Sequence, residues 1–130
     1  MKAKRIPAAR MNSAHLLVVE DEPLAGATLA AYLQRKGYRV SVAQNGSEAL
    51  RMHRADPADL VITDWLMPQG NGNALVTQLG SETPRVPVII TSGWSEPLPP
   101  GDADGQVTLK KPLDLRQVLA SVERLLSPSV

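Results

Sequence analysis

Three short apolar runs, Leu16-Leu17-Val18-Val19, Leu60-Val61-Ile62-Thr63 and Val86-Pro87-Val88-Ile89-Ile90, each close on residues able to do chemistry. The first ends on Glu20-Asp21-Glu22, the second on Asp64, the third on Thr91-Ser92-Gly93. Runs this short and this apolar, bounded by polar loops, read as strands buried on both faces of a parallel sheet. Amphipathic stretches separate them. Pro23 opens the first, where Leu24, Thr28, Leu29, Tyr32 and Leu33 recur at helical spacing and Gly37 ends the pattern. Arg39 to Ala43 alternates as a strand, Asn45-Gly46 turns, and Ser47 caps a helix whose inner face is Ala49, Leu50 and His53. Asp56-Pro57 breaks that helix, and Asn71 to Leu79 supplies another after the Met67-Pro68-Gln69-Gly70 loop. A weaker strand, Val107 to Leu109, leads into Lys110-Lys111-Pro112, and Asp114 caps a last helix bearing Leu115, Val118, Leu119, Val122, Leu125 and Leu126.

Strands alternating with helices imply right-handed crossovers and an α/β fold: a doubly wound, five-stranded parallel sheet in three α/β/α layers. In such sheets ligands bind outside the C-terminal ends of the strands. Glu20, Asp21, Asp64, Thr91 and Lys111 sit at those ends, so they converge on one crevice although they are scattered along the chain.

Composition removes several alternatives. One core suffices for 130 residues, and 43% hydrophobic with 21% charged residues excludes wholesale disorder. With no cysteine there are no disulfides, thiolate metal sites or Cys nucleophile, and two histidines are too few for a zinc cluster. No apolar run reaches the roughly 18–20 residues of a membrane helix, and no secretory apolar region follows the basic N-terminus. The chain therefore reads as cytoplasmic. The formal charge of +1 hides an asymmetry, because Lys2, Lys4, Arg5 and Arg10 leave residues 15–130 at −3. Residues 1–14 read as a flexible basic tail or linker, 15–127 as the domain and 128–130 as a C-terminal tail. Four cations without a recognition helix give weak, salt-sensitive attraction to nucleic acid, so direct nucleic-acid binding is not expected.

Three carboxylates brought within a few ångströms raise one another's pKa unless a cation joins them. An all-oxygen donor set favours a hard ion, and a site completed by waters and phosphate favours Mg²⁺. Lys111 adds a point charge suited to a phosphoryl oxygen, and Thr91 or Ser92 a hydroxyl. Such a site suits phosphoryl transfer to a carboxylate, with Asp64 as nucleophile. Singly, each residue has an ordinary explanation: Glu20-Asp21-Glu22 could serve the following helix dipole, Asp64 a turn, Thr91 a strand, and Lys111 solvent. Together those explanations need four coincidences at one sheet edge.

These residues resemble the receiver domain of two-component response regulators. The resemblance runs from about Leu16 to Leu126 and rests on Leu-Val-Val-Glu20-Asp21-Glu22, Val-Ile-Thr-Asp64-Trp-Leu-Met67-Pro68, Ile-Ile-Thr91-Ser92-Gly93 and Lys111-Pro112. It implies a flavodoxin-like fold, Asp64 as phospho-acceptor, and Mg²⁺ held by Glu20, Asp21, Asp64 and the backbone carbonyl of Leu66. Thr91 would bond the phosphoryl group, Lys111 would pair with it, and the Lys111–Pro112 bond would be cis. The implied partners are a sensor histidine kinase or histidine phosphotransfer protein as donor and a downstream protein as target. Membrane is excluded as a partner, a weak dimer is compatible, and the module is not an enzyme in the ordinary sense.

Two features depart from the family. Thr108 stands where an aromatic residue usually couples to the hydroxyl, and the segment from Trp94 to Gly105 carries three prolines where the fourth helix is expected. Proline blocks helix continuation, so that crossover reads as a short helix or loop with a non-standard output face, and Trp94 becomes the candidate reporter of the switch. The alternatives are a degenerate receiver that docks without phosphorylation and the receiver part of a hybrid sensor kinase. An aspartate-nucleophile phosphatase is disfavoured, because Leu66 stands where a second acid would be needed.

Overall fold

A computed structural model describes residues 13–67, 72–81, 85–93 and 105–127. In chain order its elements are β1 (His15–Val19), α1 (Pro23–Arg35), β2 (Arg39–Ala43), α2 (Gly46–Ala55), β3 (Leu60–Asp64), α3 (Gly72–Gly80), β4 (Val88–Ser92), β5 (Gln106–Lys110) and α4 (Leu115–Leu126). All five strands are parallel in the order β2-β1-β3-β4-β5. This is the doubly wound sheet the alternation predicts, and its order reverses between β1 and β3, where a crevice opens.

Every residue of β1, β3 and β4 is buried, whereas the edge strands β2 and β5 are partly exposed. Strand side chains alternate between faces, which divides the core. Leu16, Val18, Ile62 and Ile89 pack with Leu33 of α1 and Val118 and Val122 of α4. Leu17, Val19, Val61 and Ile90 face the other way, onto Ala49 of α2 and Leu75 and Leu79 of α3. No helix among the described residues is long and apolar enough to cross a membrane.

Helix ends follow local chemistry. Pro23 opens α1 behind Glu22, whose carboxylate accepts from the Ala25 N–H at 2.6 Å. Gly37 at φ 102° lets the chain turn back into β2, a conformation that strains side-chain-bearing residues. Asp114 caps α4 as expected. For α2 the expected cap, Ser47, gives way to Asn45, whose side chain accepts from the Glu48 N–H at 2.8 Å while Glu48 accepts from the Gln44 N–H at 3.0 Å. Asn45 stands three residues before Glu48, the spacing at which a cap side chain reaches the third helical N–H, so Gly46 lies inside the helix rather than in a turn. β4 starts at Val88 rather than Val86, because Pro87 has no N–H for the ladder; its carbonyl accepts from Val61 at 3.0 Å. The Pro-rich crossover, Trp94 and residues 1–12 and 128–130 lie outside the described residues, while Ala14, the last residue of the expected N-terminal tail, is fully buried.

At the N-terminal end of the sheet a polar staple ties β1 to β2 and to the α2–β3 connection. Asp59 accepts from the His15 N–H at 2.9 Å and its own N–H donates to the His15 carbonyl at 2.7 Å. The His15 ring meets the Ser41 hydroxyl at 2.8 Å and the Pro57 carbonyl at 3.1 Å, and His53 Nδ1 accepts from the Ala58 N–H at 3.0 Å. Both histidines thus have structural partners. Asp59 is 2% exposed. Asp59→Ala leaves the His15 N–H without its acceptor, and the expected loss is about 1–3 kcal/mol, read as a lower urea midpoint at unchanged slope.

Candidate functional site

The crevice at the C-terminal ends of β1 and β3 collects the residues expected there. The Glu20 N–H donates to the Ala43 carbonyl at 2.9 Å, which extends the β1–β2 ladder and fixes the backbone that presents Glu20 and Asp21. Asp64 is the last residue of β3 and only 2% exposed. Thr91 is its register partner on β4, so adjacency in the sheet brings the Thr91 hydroxyl to Asp64 Oδ1 at 2.5 Å. Ser92, the other hydroxyl considered, is fully buried; its strand position points it to the opposite face.

Lys111 follows β5, its N–H bonded to the Ser92 carbonyl at 2.8 Å and its peptide bond to Pro112 cis. Its ammonium lies 2.7 Å from Asp64 Oδ1. One carboxylate oxygen therefore receives both a hydroxyl and an ammonium, which fixes the group in place and offsets the desolvation of a buried charge.

On the other side stand the two remaining acids. Oxygens of Glu20, Asp21 and Asp64 lie within 4.8 Å of one another. Burial pushes the Glu20 carboxyl up to about 8, reinforced by its hydrogen bond to Asp64 and by the charges of Asp64 and Asp21, while Lys111 pulls it down. Without a cation, Glu20 holds a proton that bridges to Asp64. The donor set is all oxygen and crowded with negative charge, which fits a hard divalent cation. Leu66, two residues after Asp64, is 49% exposed.

Sequence reasoning did not identify the apolar half of this site. A cavity of about 520 Å³ runs from the carboxylates into a groove between α1 and the start of α4, walled by Leu24, Leu29, Pro112, Leu113 and Leu115. Leu24 is 73% exposed, an unusual placement for so large an apolar side chain at the start of a helix beside three acids. Leu113 directly after Lys111-Pro112 was the second available signal.

Fold and site together define a doubly wound α/β protein with a centre of three clustered carboxylates at the switch point of its sheet. Comparison with known proteins narrows that class: residues 16–123 match the response regulator receiver domain, and the chain belongs to this family. It is 34% identical over 117 residues to the TorCAD operon transcriptional regulatory protein TorR of Escherichia coli O157:H7, covering 86% of this chain and 50% of TorR. Among solved structures it is similar to the signal receiver domain of a signal transduction histidine kinase from Syntrophus aciditrophicus, with TM-score 0.78 and 30% identity over 91% of this chain and 97% of that one. The receiver domain of the hybrid histidine kinase CckA superposes with TM-score 0.74 at 29% identity, covering 87% and 99% of the two chains. The chain spans about half the length of curated relatives such as TorR.

Proposed function

We propose that this receiver domain accepts a phosphoryl group from a phosphohistidine onto Asp64 and signals through protein contacts. The observation that carries the reading is the doubly held Asp64 Oδ1, with Thr91 and Lys111 on one side and two further acids on the other. In the reaction an Asp64 carboxylate oxygen attacks phosphorus, the P–N bond breaks, and the imidazole leaves with the bonding pair. Lys111 pairs with the transferred group, and the Thr91 hydroxyl turns from the carboxylate to a phosphoryl oxygen. Glu20, Asp21, Asp64 and the Leu66 carbonyl would hold Mg²⁺, which when bound supplies charge neutralisation on the transferring group. The burial of Asp64 limits the approach of water to the aspartyl phosphate. Turnover is then limited to slow self-hydrolysis, as befits a signalling module rather than an enzyme.

The donor is a sensor histidine kinase or histidine phosphotransfer protein, and the target is a downstream protein or another part of a longer chain. A cytoplasmic setting suits this chemistry. Intact-mass measurement after incubation with acetyl phosphate and Mg²⁺ tests the proposal. One hydroxylamine-labile phosphate per chain is the expected result; no adduct from acetyl phosphate or a cognate kinase would leave a phosphorylation-independent docking module. Lys111→Met leaves the nucleophile in place and removes the charge that meets the phosphoryl group, so labelling slows about 100-fold or more while the fold persists by circular dichroism.

A further inference from the structure

Gly26 is buried inside α1, where glycine is the least favourable residue after proline. Its backbone does not require a glycine, since the positive-φ glycines among the described residues are Gly37 and Gly105. The space around it does. A Cβ at position 26 would stand 3.3 Å from Val42 Cγ1, 3.5 Å from Glu20 Cβ and 3.7 Å from Glu20 Cγ. At Gly80, the last residue of α3, the same atom would meet nothing within 4 Å.

Local hydrogen bonds hold this approach in place. The Glu20 N–H is tied to the Ala43 carbonyl at 2.9 Å, the Glu22 carboxylate accepts from the Ala25 N–H, and the Gly26 N–H returns to the Glu22 carbonyl at 3.1 Å. The chain thus leaves β1, turns through Asp21 and Glu22, and brings the first turn of α1 back over the stem of Glu20. With both ends of that turn held, the groups that must yield to a side chain on residue 26 are Val42 and Glu20. Val42 is 39% exposed and has room to rotate outward. Glu20 yields only by carrying its carboxylate away from Asp21 and Asp64, whose oxygens lie within 4.8 Å of its own.

We propose that Gly26 is a positioning residue: by carrying no side chain it leaves the Glu20 stem in the place that directs its carboxylate to Asp21 and Asp64. The placement of Glu20 stands on this geometry alone, whereas its consequence for a divalent ion rests on the reading of the site given above. Bulk sets the size of the effect. An alanine Cβ meets Glu20 at ordinary contact distances and asks Val42 to give by a few tenths of an ångström. Valine adds two γ carbons about 1.5 Å further out on a side chain whose χ1 is stiff in a helix, so it displaces the stem.

Mn²⁺ titration of the full chain tests the proposal. Gly26→Ala is expected to melt at or above wild type, because alanine is the better helix former, and to lose little affinity. Gly26→Val is expected to keep its circular dichroism and to bind Mn²⁺ about 10-fold more weakly or worse, the usual loss when a group that orients a ligand is disturbed. In a Glu20→Ala background the same valine costs no further affinity, since no carboxylate is left there to displace. A crystal structure of Gly26→Val is expected to show the Glu20 carboxylate moved by about 1 Å or more. Wild-type affinity in Gly26→Val, or Glu20 in its original place, overturns the proposal. So does an equal loss in the Glu20→Ala background, the mark of general damage to the fold. Should valine prevent folding, Gly26→Ser, with one γ atom, takes its place in the same comparison. If the wild type binds no Mn²⁺, the ion reading falls, and the position of Glu20 in the crystal structure decides the role of Gly26.

Discussion

Asp64→Asn is expected to lose the hydroxylamine-labile phosphate completely while keeping the fold. The amide is close to the carboxylate in size and shape, so the core around β3 is not opened, but it has no anionic oxygen with which to attack phosphorus. Thr91 and Lys111 lose their shared anionic partner: at Oδ1 they meet a neutral amide oxygen, a weaker acceptor for an ammonium 38% exposed to water. Glu20 is affected in the opposite sense, because the neighbouring charge that helps to raise its pKa is gone. The variant therefore falls to background in intact-mass labelling while its circular dichroism stays that of the wild type. Residual labelling at an unchanged rate would place the acceptor elsewhere and overturn the role of Asp64.

The second large effect is a linkage between protons and the divalent cation. Folding raises the Glu20 pKa from 4.5 to about 8, so between those values the folded state holds a proton that the unfolded chain has released. Stability without metal accordingly falls as pH rises through this window, and is flat above and below it. The proposed divalent cation would replace that proton. Binding should release close to one proton near pH 6–7, and the apparent affinity should climb with pH until it levels off above about 8. Thermal melts with and without Mg²⁺ show the effect directly: the Mg²⁺-induced rise in Tm is small at pH 5.5 and large at pH 8. Glu20→Gln flattens the metal-free pH profile and weakens Mg²⁺ binding. A Tm increment independent of pH would contradict the linkage.

The sequence made the centre of the fold more legible than its rim. The three central strands stand out because burial on both faces requires unbroken apolar runs, and Leu16–Val19, Leu60–Thr63 and Val88–Ile90 supply them. Their polar closures located the crevice as well, since a doubly wound sheet leaves few places for such residues to meet. Hydrogen-bonding choices between near-equivalent groups were harder to read. Asn45 and Ser47 are both good caps, and Thr91 and Ser92 are adjacent hydroxyls; only the backbone path and strand register separate them. His15 and His53 carried no readable role because their partners, Asp59, Ser41, Pro57 and the Ala58 N–H, are fixed by packing of distant segments. The apolar groove was missed for a related reason. Leu24, Leu113 and Leu115 resemble ordinary core positions in a helical pattern, and only the tertiary arrangement leaves them lining open space.

Because Asp64 and Thr91 face each other as register partners across β3 and β4, the proposed acceptor site exists only in a correctly zipped sheet. A slip of one residue would turn every side chain of the slipped strand to the other face and separate the hydroxyl from the carboxylate. On the proposed acceptor role, competence for labelling would thus be a quality check on folding: the fraction of chains that take up phosphate at saturation would count the natively assembled molecules in a preparation.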